Sequence, residues 1–278
     1  MADDTPVDPV PAGDVEMEED TEQVEGGAQG AEDTGMLEDI EPETKTRVSF
    51  LDYLKSPIVN LVVGRGEEQT SLAAHEGLLL QSPFFAEQIG AFKPKGSRKI
   101  DLQDDDLEGV GSILEYLYND EYFPKRLNQN QKDSPLEEDP TQPTKDDEGL
   151  GLLRHARVYT LAEKFGLPAL KSLAHSKIHR TNSTAKGELA YARYVYQNTS
   201  TEDTTIRKPV AAFWATRSHV LRHEAEDEFR KLCLEFPQFG FDVLSLVLDQ
   251  REKSRSGGGA AVEVHGTPAS SRKRRRDL

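Results

Sequence analysis

Apolar residues gather in the middle of the chain, and their spacing changes character along it. Phe50, Leu51 and Leu54 mark a short helix that ends at Ser56-Pro57, because the residue before a proline is pushed out of the helical region. Ile58-Val59-Asn60-Leu61-Val62-Val63 is β-branched and almost continuously apolar, as a strand covered on both faces requires. Gly64-Arg65-Gly66 accepts positive φ and reads as a hairpin turn, with Gln69–Ala73 as the returning strand. Glu76–Leu80 reads as a buried helical turn, since Leu78, Leu79 and Leu80 cannot all face water. Ser82-Pro83 has the form of an N-cap with Pro at the first helical position, and Phe84, Phe85 and Ile89 give the following helix its apolar face.

Arg98–Leu102 predicts a third short strand. Asp104–Asp106 then opens a helix, with acids placed against its N-terminal dipole, and Leu107, Val110, Leu114, Leu117 and Tyr118 follow at helical spacing. Pro124–Gly149 breaks the pattern: it is rich in Asn, Gln, Asp, Glu and Pro and reads as a mobile acidic insertion. Helical periodicity resumes at Leu152, Leu153, Ala156, Tyr159 and Ala162. Gly166 closes that helix and Pro168 starts the next, whose buried stripe is Leu170, Leu173, Ala174 and Ile178. Three further helices are expected over Glu188–Gln197, Val210–Glu235 and Phe241–Arg251. Trp214, Phe229, Leu232, Phe236 and Phe239 supply a small satellite core for them.

Charge divides the chain further. The 278 residues carry a net charge of −16. Residues 1–43 hold 16 Asp and Glu without one Lys or Arg, so the remainder is neutral overall. That leading segment cannot bury enough apolar surface to offset the entropy of ordering it. The far end is Gly/Ser-rich and closes in SRKRRRDL, a basic tail expected to be disordered. A single cysteine, Cys233, excludes an intrachain disulfide and a four-thiolate metal site, which fits a reducing compartment. The absence of a basic-then-apolar leader, and of any apolar run near 18 residues, gives the expectation of a soluble intracellular protein without a membrane partner.

The candidate chemistry is sparse. His175 and His179, and likewise His219 and His223, are four apart and can share a helix face, yet no third metal ligand is evident and no Glu lies between either pair. Gly64-x-Gly66 lacks the rest of a phosphate-binding loop, and the Asp104–Asp106 run lacks the alternating oxygen ligands of a calcium loop. No catalytic, cofactor or metal residues are assigned. Arg272, Lys273, Arg274, Arg275 and Arg276 are five consecutive cations that suit the acidic groove of a nuclear import receptor or nucleic-acid phosphates, or are an ordinary charged tail.

Three blocks in order, SPIVNLVVGRGEEQTSLAAHEGLLLQSPFF, Lys99–Tyr122 and LLRHARVYTLAEKFGLPALKSLAHSKI, resemble a BTB/POZ domain, and most closely the short fungal-type members of that family. The matched positions are His75, Leu79, Ser82, Phe84, Phe85, Leu114, Tyr116, Leu117, Tyr118, Ala156, Tyr159, Ala162, Phe165 and Leu170. The resemblance implies an α+β fold: a small three-stranded sheet flanked by helices, here with a helical C-terminal extension and disordered acidic and basic ends. It implies a non-enzymatic protein–protein interaction module, an adaptor or scaffold that forms a homodimer. The partners it implies are other proteins, a cullin scaffold of a ubiquitin ligase among them. Asn60 stands where the family usually has Asp. The apolar-x-Glu motif of cullin-binding members is absent too, since Phe92 is present but Pro94 replaces the acid.

The expected organisation is an acidic tail over 1–46, a BTB/POZ domain over 47–180 with its insertion at 124–149, a helical extension over 181–252 and a basic tail over 253–278. Gln88, Ile89 and Phe92 are the expected partner-facing edge. The alternative function is a nuclear transcription or chromatin regulator using its two charged tails. The expected location is the nucleus, with a share in the cytoplasm. Direct nucleic-acid binding is not expected, because no zinc finger, helix-turn-helix signature or long basic helix is present.

Overall fold

The first strand, β1 (Ile58–Val63), lies in the middle of a three-stranded sheet, between β2 (Thr70–His75) and β3 (Lys99–Leu102). The structure, a computed structural model, describes residues 49–256 apart from 129, 130, 132, 133 and 144. The sheet is mixed. β1 pairs antiparallel with β2, setting Val59 against Ala74 and Leu61 against Leu72, and parallel with β3, setting Leu61 against Ile100 and Val63 against Leu102. Val59, Leu61, Val63, Ala74, Ile100 and Leu102 turn inward to the core.

The strand is not covered on both faces along its length. Ile58 and Asn60 are exposed at its start, and only towards Val62 does the second face close over. Of the three consecutive leucines, Leu78 and Leu79 are buried and Leu80 is exposed, in keeping with a run that cannot all face water.

Ten α-helices surround the sheet among the described residues. Preceding β1 is α1 (Phe50–Lys55); α2 (Glu76–Leu79) and α3 (Pro83–Gly90) follow the hairpin, and α4 (Leu107–Asn119) follows β3. Local chemistry explains several of the boundaries. Ser82 accepts a hydrogen bond from the Phe85 N–H and Pro83 sits in the first turn of α3; Asp106 accepts from the Gly109 N–H to begin α4. α5 (Leu150–Lys164) ends in a Schellman motif. Gly166 is at φ 69°, its N–H meets the Glu163 carbonyl, and the Leu167 N–H reaches the Ala162 carbonyl. Pro168 then starts α6 (Pro168–Ile178).

The polar segment over 124–149 has partners that its composition does not advertise. Arg126 bridges to Leu136, Ser134 and Asp146 are buried, and Asp139 pairs with Arg154 of α5 at 2.5 Å. Asp146 accepts from the Leu150 and Gly151 N–H groups, which caps α5. Charged groups and backbone bonds thus anchor a stretch that has almost no apolar residues to bury.

The C-terminal helices are α7 (Ala185–Asn198), α8 (Thr204–Glu224), α9 (Glu226–Glu235) and α10 (Pro237–Ser256). The single helix expected over Val210–Glu235 is broken at Ala225, and Glu226, Asp227 and Glu228 fill the first turn of α9. The satellite core expected around Trp214, Leu232 and Phe239 is continuous with the main core through Val195, Ala192 and Leu189 of α7 and the buried face of α5. Contact there is close: a Cβ on Gly149 would come within 2.5 Å of the Gly187 carbonyl oxygen. α10 reaches Ser256. The acidic 1–46 segment and the Arg272–Arg276 cluster lie outside the described residues.

Candidate interaction surfaces and the polar network behind them

α1 is a well-formed helix that buries none of its own residues. Ser49 and Asp52 make a reciprocal capping box at its start, and its last turn carries Lys55. One side is docked: Tyr53 and Ser56 lie against Gly77 of α2, where a Cβ would approach Tyr53 to 3.0 Å, and the Ser56 hydroxyl accepts from the Gly77 N–H at 2.8 Å. The other side faces outward. Phe50 is 52% exposed, Leu51 57% and Leu54 41%, and Ile58 just beyond is 44% exposed. Its exposed apolar residues are neighbours along one short capped helix, which makes this face a candidate contact surface.

A second apolar stripe lies on α10. Phe241, Leu244 and Leu248 follow one another at helical spacing and are all exposed, with Leu234 of α9 exposed as well. A shallow cavity of about 300 Å³ beside Phe241 is walled by Arg207, Lys208 and Gln238.

The edge expected from sequence is brought together at the end of α3. Gln88 is exposed, whereas Ile89 and Phe92 are half-buried and pack on the core. The Phe92 N–H donates to the Ile89 carbonyl at 3.0 Å, and the Arg98 guanidinium lies 5.9 Å from the Phe92 ring centre. Phe84 and Phe85 are held from behind by Phe165, with ring centres 4.9 and 4.8 Å away. His75 links strand to helix: its Nδ1 lies 2.7 Å from the Tyr118 hydroxyl.

A buried ionic network escaped the sequence reading. Lys177 of α6 is fully buried; its ammonium donates to the carbonyls of Tyr122 and Pro124 and to the Glu121 carboxylate at 2.6 Å. Arg126 donates to the second Glu121 oxygen at 2.9 Å. Burial brings the Lys177 ammonium down to about 8, against the pull of Glu121. Burial alone would raise the Glu121 carboxyl, but the bonds from Lys177 and Arg126 outweigh it and hold the group below the usual range. The network continues through the Tyr122 hydroxyl, 2.9 Å from His155 Nδ1. Burial, helped by the charges of Lys177 and Arg154, brings His155 down to about 3, so the imidazole is neutral. In sequence Lys177 lies within SLAHSKIHR and looks like a solvated lysine. Its partners are some 50 residues away, and no local signal announces them.

The two histidine pairs have different surroundings. His219 and His223 are exposed on α8. His175 Nε2 lies 3.0 Å from the Thr205 carbonyl and 3.2 Å from His179 Nε2. Pro209 has no N–H to offer the carbonyl four residues before it, and that carbonyl belongs to Thr205. His175 therefore donates its one Nε2 hydrogen to Thr205 in its place, and that nitrogen has no second hydrogen for His179. Burial and the neighbouring His175 hold His179 below the ordinary histidine value, in keeping with its neutral form. Among the described residues no group of three or more His, Cys, Asp or Glu is placed to hold a metal ion. Burial raises the Cys233 thiol.

No protein-family model matches the chain, and no curated protein matches it in sequence. Among the described residues no helix is long and apolar enough to cross a membrane.

Proposed function

We propose that this protein is a non-catalytic adaptor of BTB/POZ type that pairs with a second copy of itself through the α1 face and offers the α10 stripe to another protein. The exposure of Phe50, Leu51 and Leu54 on a capped, docked helix carries the reading. The order β1, β2, α2, α3, β3, α4, α5, α6, with β1 central in the sheet, supports the family assignment.

Magnitudes limit the shape of the interface. Covering a half-exposed Leu or Phe is worth about 1 kcal/mol, so six such side chains in a symmetric pair contribute about 6 kcal/mol. Association costs at least about 4 kcal/mol, which leaves too little for a firm dimer. The interface must therefore extend past α1, and Ile58 is the adjoining apolar position. Cullin recruitment is the weaker branch of the proposal, since Pro94 stands where the acid would be and Phe92 is half-buried. Nuclear import through Arg272–Arg276 is proposed on charge alone.

The test is affinity purification of the tagged intact protein from its own cells, with and without serine at Phe241 and Leu244. Recovery of a set of proteins that both substitutions abolish supports the adaptor role. An identical set from wild type and variant overturns the assignment of the α10 stripe.

A further inference from the structure

The apolar stripe on α10 is flanked by charges that do not balance. Phe241, Leu244 and Leu248 are exposed and follow one another at steps of three and four, the spacing of a seam that receives a second helix. Arg251, also exposed, extends the seam by a further step of three. At about 100° per residue these four positions fall within about 80° of one another. They lie on the side of α10 away from Phe239 and Val243, which are buried. Phe241 also lines the cavity of about 300 Å³ between α8 and α10, where Ala211 is buried, Leu246 half-buried and Lys208 exposed.

The charged groups beside the seam sort by whether they already have partners. Arg207 donates to the Tyr196 and Thr199 carbonyls, and Asp242 accepts from the Tyr196 hydroxyl and the Gln238 amide. Glu252 has an interaction of its own. The remaining acid of α10, Asp249, lies about 120° round the helix from the middle of the seam, so it points away from anything seated there. Lys208 and Arg251 have no ion pair or hydrogen bond among the described residues. A body laid along the seam thus meets apolar side chains in its middle and an uncompensated cation at each end, Lys208 beside Phe241 and Arg251 beyond Leu248. The backbone groups inside α10 are bonded within the helix, so it offers no edge to which a strand could be added. At about 30 Å³ for each water-sized group the cavity takes about ten of them, enough for one aromatic side chain.

We propose that the α10 stripe docks an amphipathic helix of another protein, one whose apolar face is flanked by Asp or Glu at both ends. One large apolar side chain of that helix fills the cavity beside Phe241, and its acids pair with Lys208 and Arg251. This rests on the adaptor reading and names the chemistry of the partner.

The probe is a fluorescein-labelled designed helix of about three heptads, with leucine and phenylalanine on one face and glutamate beside them. A second helix has lysine in place of each glutamate, and a third has the first one's residues in shuffled order. Anisotropy reads binding to the intact protein at low and at high salt. The chain's net charge of −16 by itself favours the lysine helix, so a preference for glutamate reports on the local cations. The glutamate helix is expected to bind saturably, at least about fivefold tighter than the lysine helix and more weakly at high salt, and the shuffled one not at all. Lys208→Glu/Arg251→Glu changes two exposed side chains that have no partner to lose. It should reverse the preference between the two helices, with circular dichroism unchanged. Phe241→Ser/Leu244→Ser should abolish binding of both. Equal binding of the glutamate and lysine helices, or a preference that survives the charge reversal, overturns the proposal. So does a fall in sedimenting mass on Leu244→Ser/Leu248→Ser, which would assign the stripe to a second copy of the chain. Failure of every helix to bind overturns it as well; co-purifying proteins still lost on substituting Phe241 and Leu244 would then leave the adaptor role standing without this partner chemistry.

Discussion

The ammonium of Lys177 sits 3.7 Å from the centre of the Tyr122 ring, out of contact with water. It fastens the segment after α4 to α6 by bonding two carbonyls and a carboxylate that water cannot reach. Removing it leaves Glu121 buried with Arg126 as its remaining charged partner. Lys177→Met should lower stability by about 3 kcal/mol in urea unfolding, and adding Glu121→Gln should restore about 1 kcal/mol of that loss. A neutral single variant would mean the network contributes nothing to folding.

Ser82 serves two helices at once. Its hydroxyl accepts from the Phe85 N–H at 3.3 Å, which caps α3, and donates to the Phe165 carbonyl at 2.6 Å, where α5 ends. Ser82→Ala should cost about 2 kcal/mol, more than a cap alone, because a buried carbonyl loses its donor as well. Ser82→Thr, which keeps the hydroxyl, should recover part of it. Equal losses in both variants would point to packing as the cause.

The buried His155 and the half-buried Glu188 respond to acid in opposite senses. His155 has a folded value of about 3, well below the unfolded 6.5, so the unfolded state binds the extra proton. Stability from this group falls as pH drops from 6.5 towards 3, by about 1 kcal/mol per pH unit. Glu188 has a folded value of about 7, above the unfolded 4.5, so its contribution is full below 4.5 and is lost as pH rises through 7. The two offset each other between pH 6.5 and 4.5. Glu188→Gln should therefore stabilise the protein by about 2 kcal/mol at pH 8 and do little at pH 4.5, and should steepen acid unfolding. His155→Gln should flatten it. Unfolding free energies at pH 4.5, 6.5 and 8 decide the matter, and parallel curves for all three proteins would refute the assignment.

Much of the fold was legible because its signals are local. Ser82-Pro83, Asp106 and the Gly166/Pro168 pair each act within one helical turn, and the sequence marks each of them. Other features depend on residues far apart in the chain. Lys177 of α6 meets Glu121 just after α4, and Asp139 meets Arg154, so no local pattern marks the first pair and composition alone read the second as part of a mobile insertion. Ile58 failed in the other direction, being apolar yet exposed, because an apolar run records preference and not which neighbour arrives to cover it. The break at Ala225 did have a local signal, the acids of Glu226–Glu228. The cavity beside Phe241 had none, since its walls come from separate stretches of the chain.

Self-association through α1 is tested most directly by sedimentation velocity on the intact chain at roughly 100 µM, where even weak micromolar dimers are populated. The wild type is predicted to sediment with twice the 31.0 kDa mass of one chain, and the Phe50→Ser/Leu54→Ser variant as a folded monomer. A wild type that stays monomeric, or a variant that still dimerises, would contradict the assignment of this face.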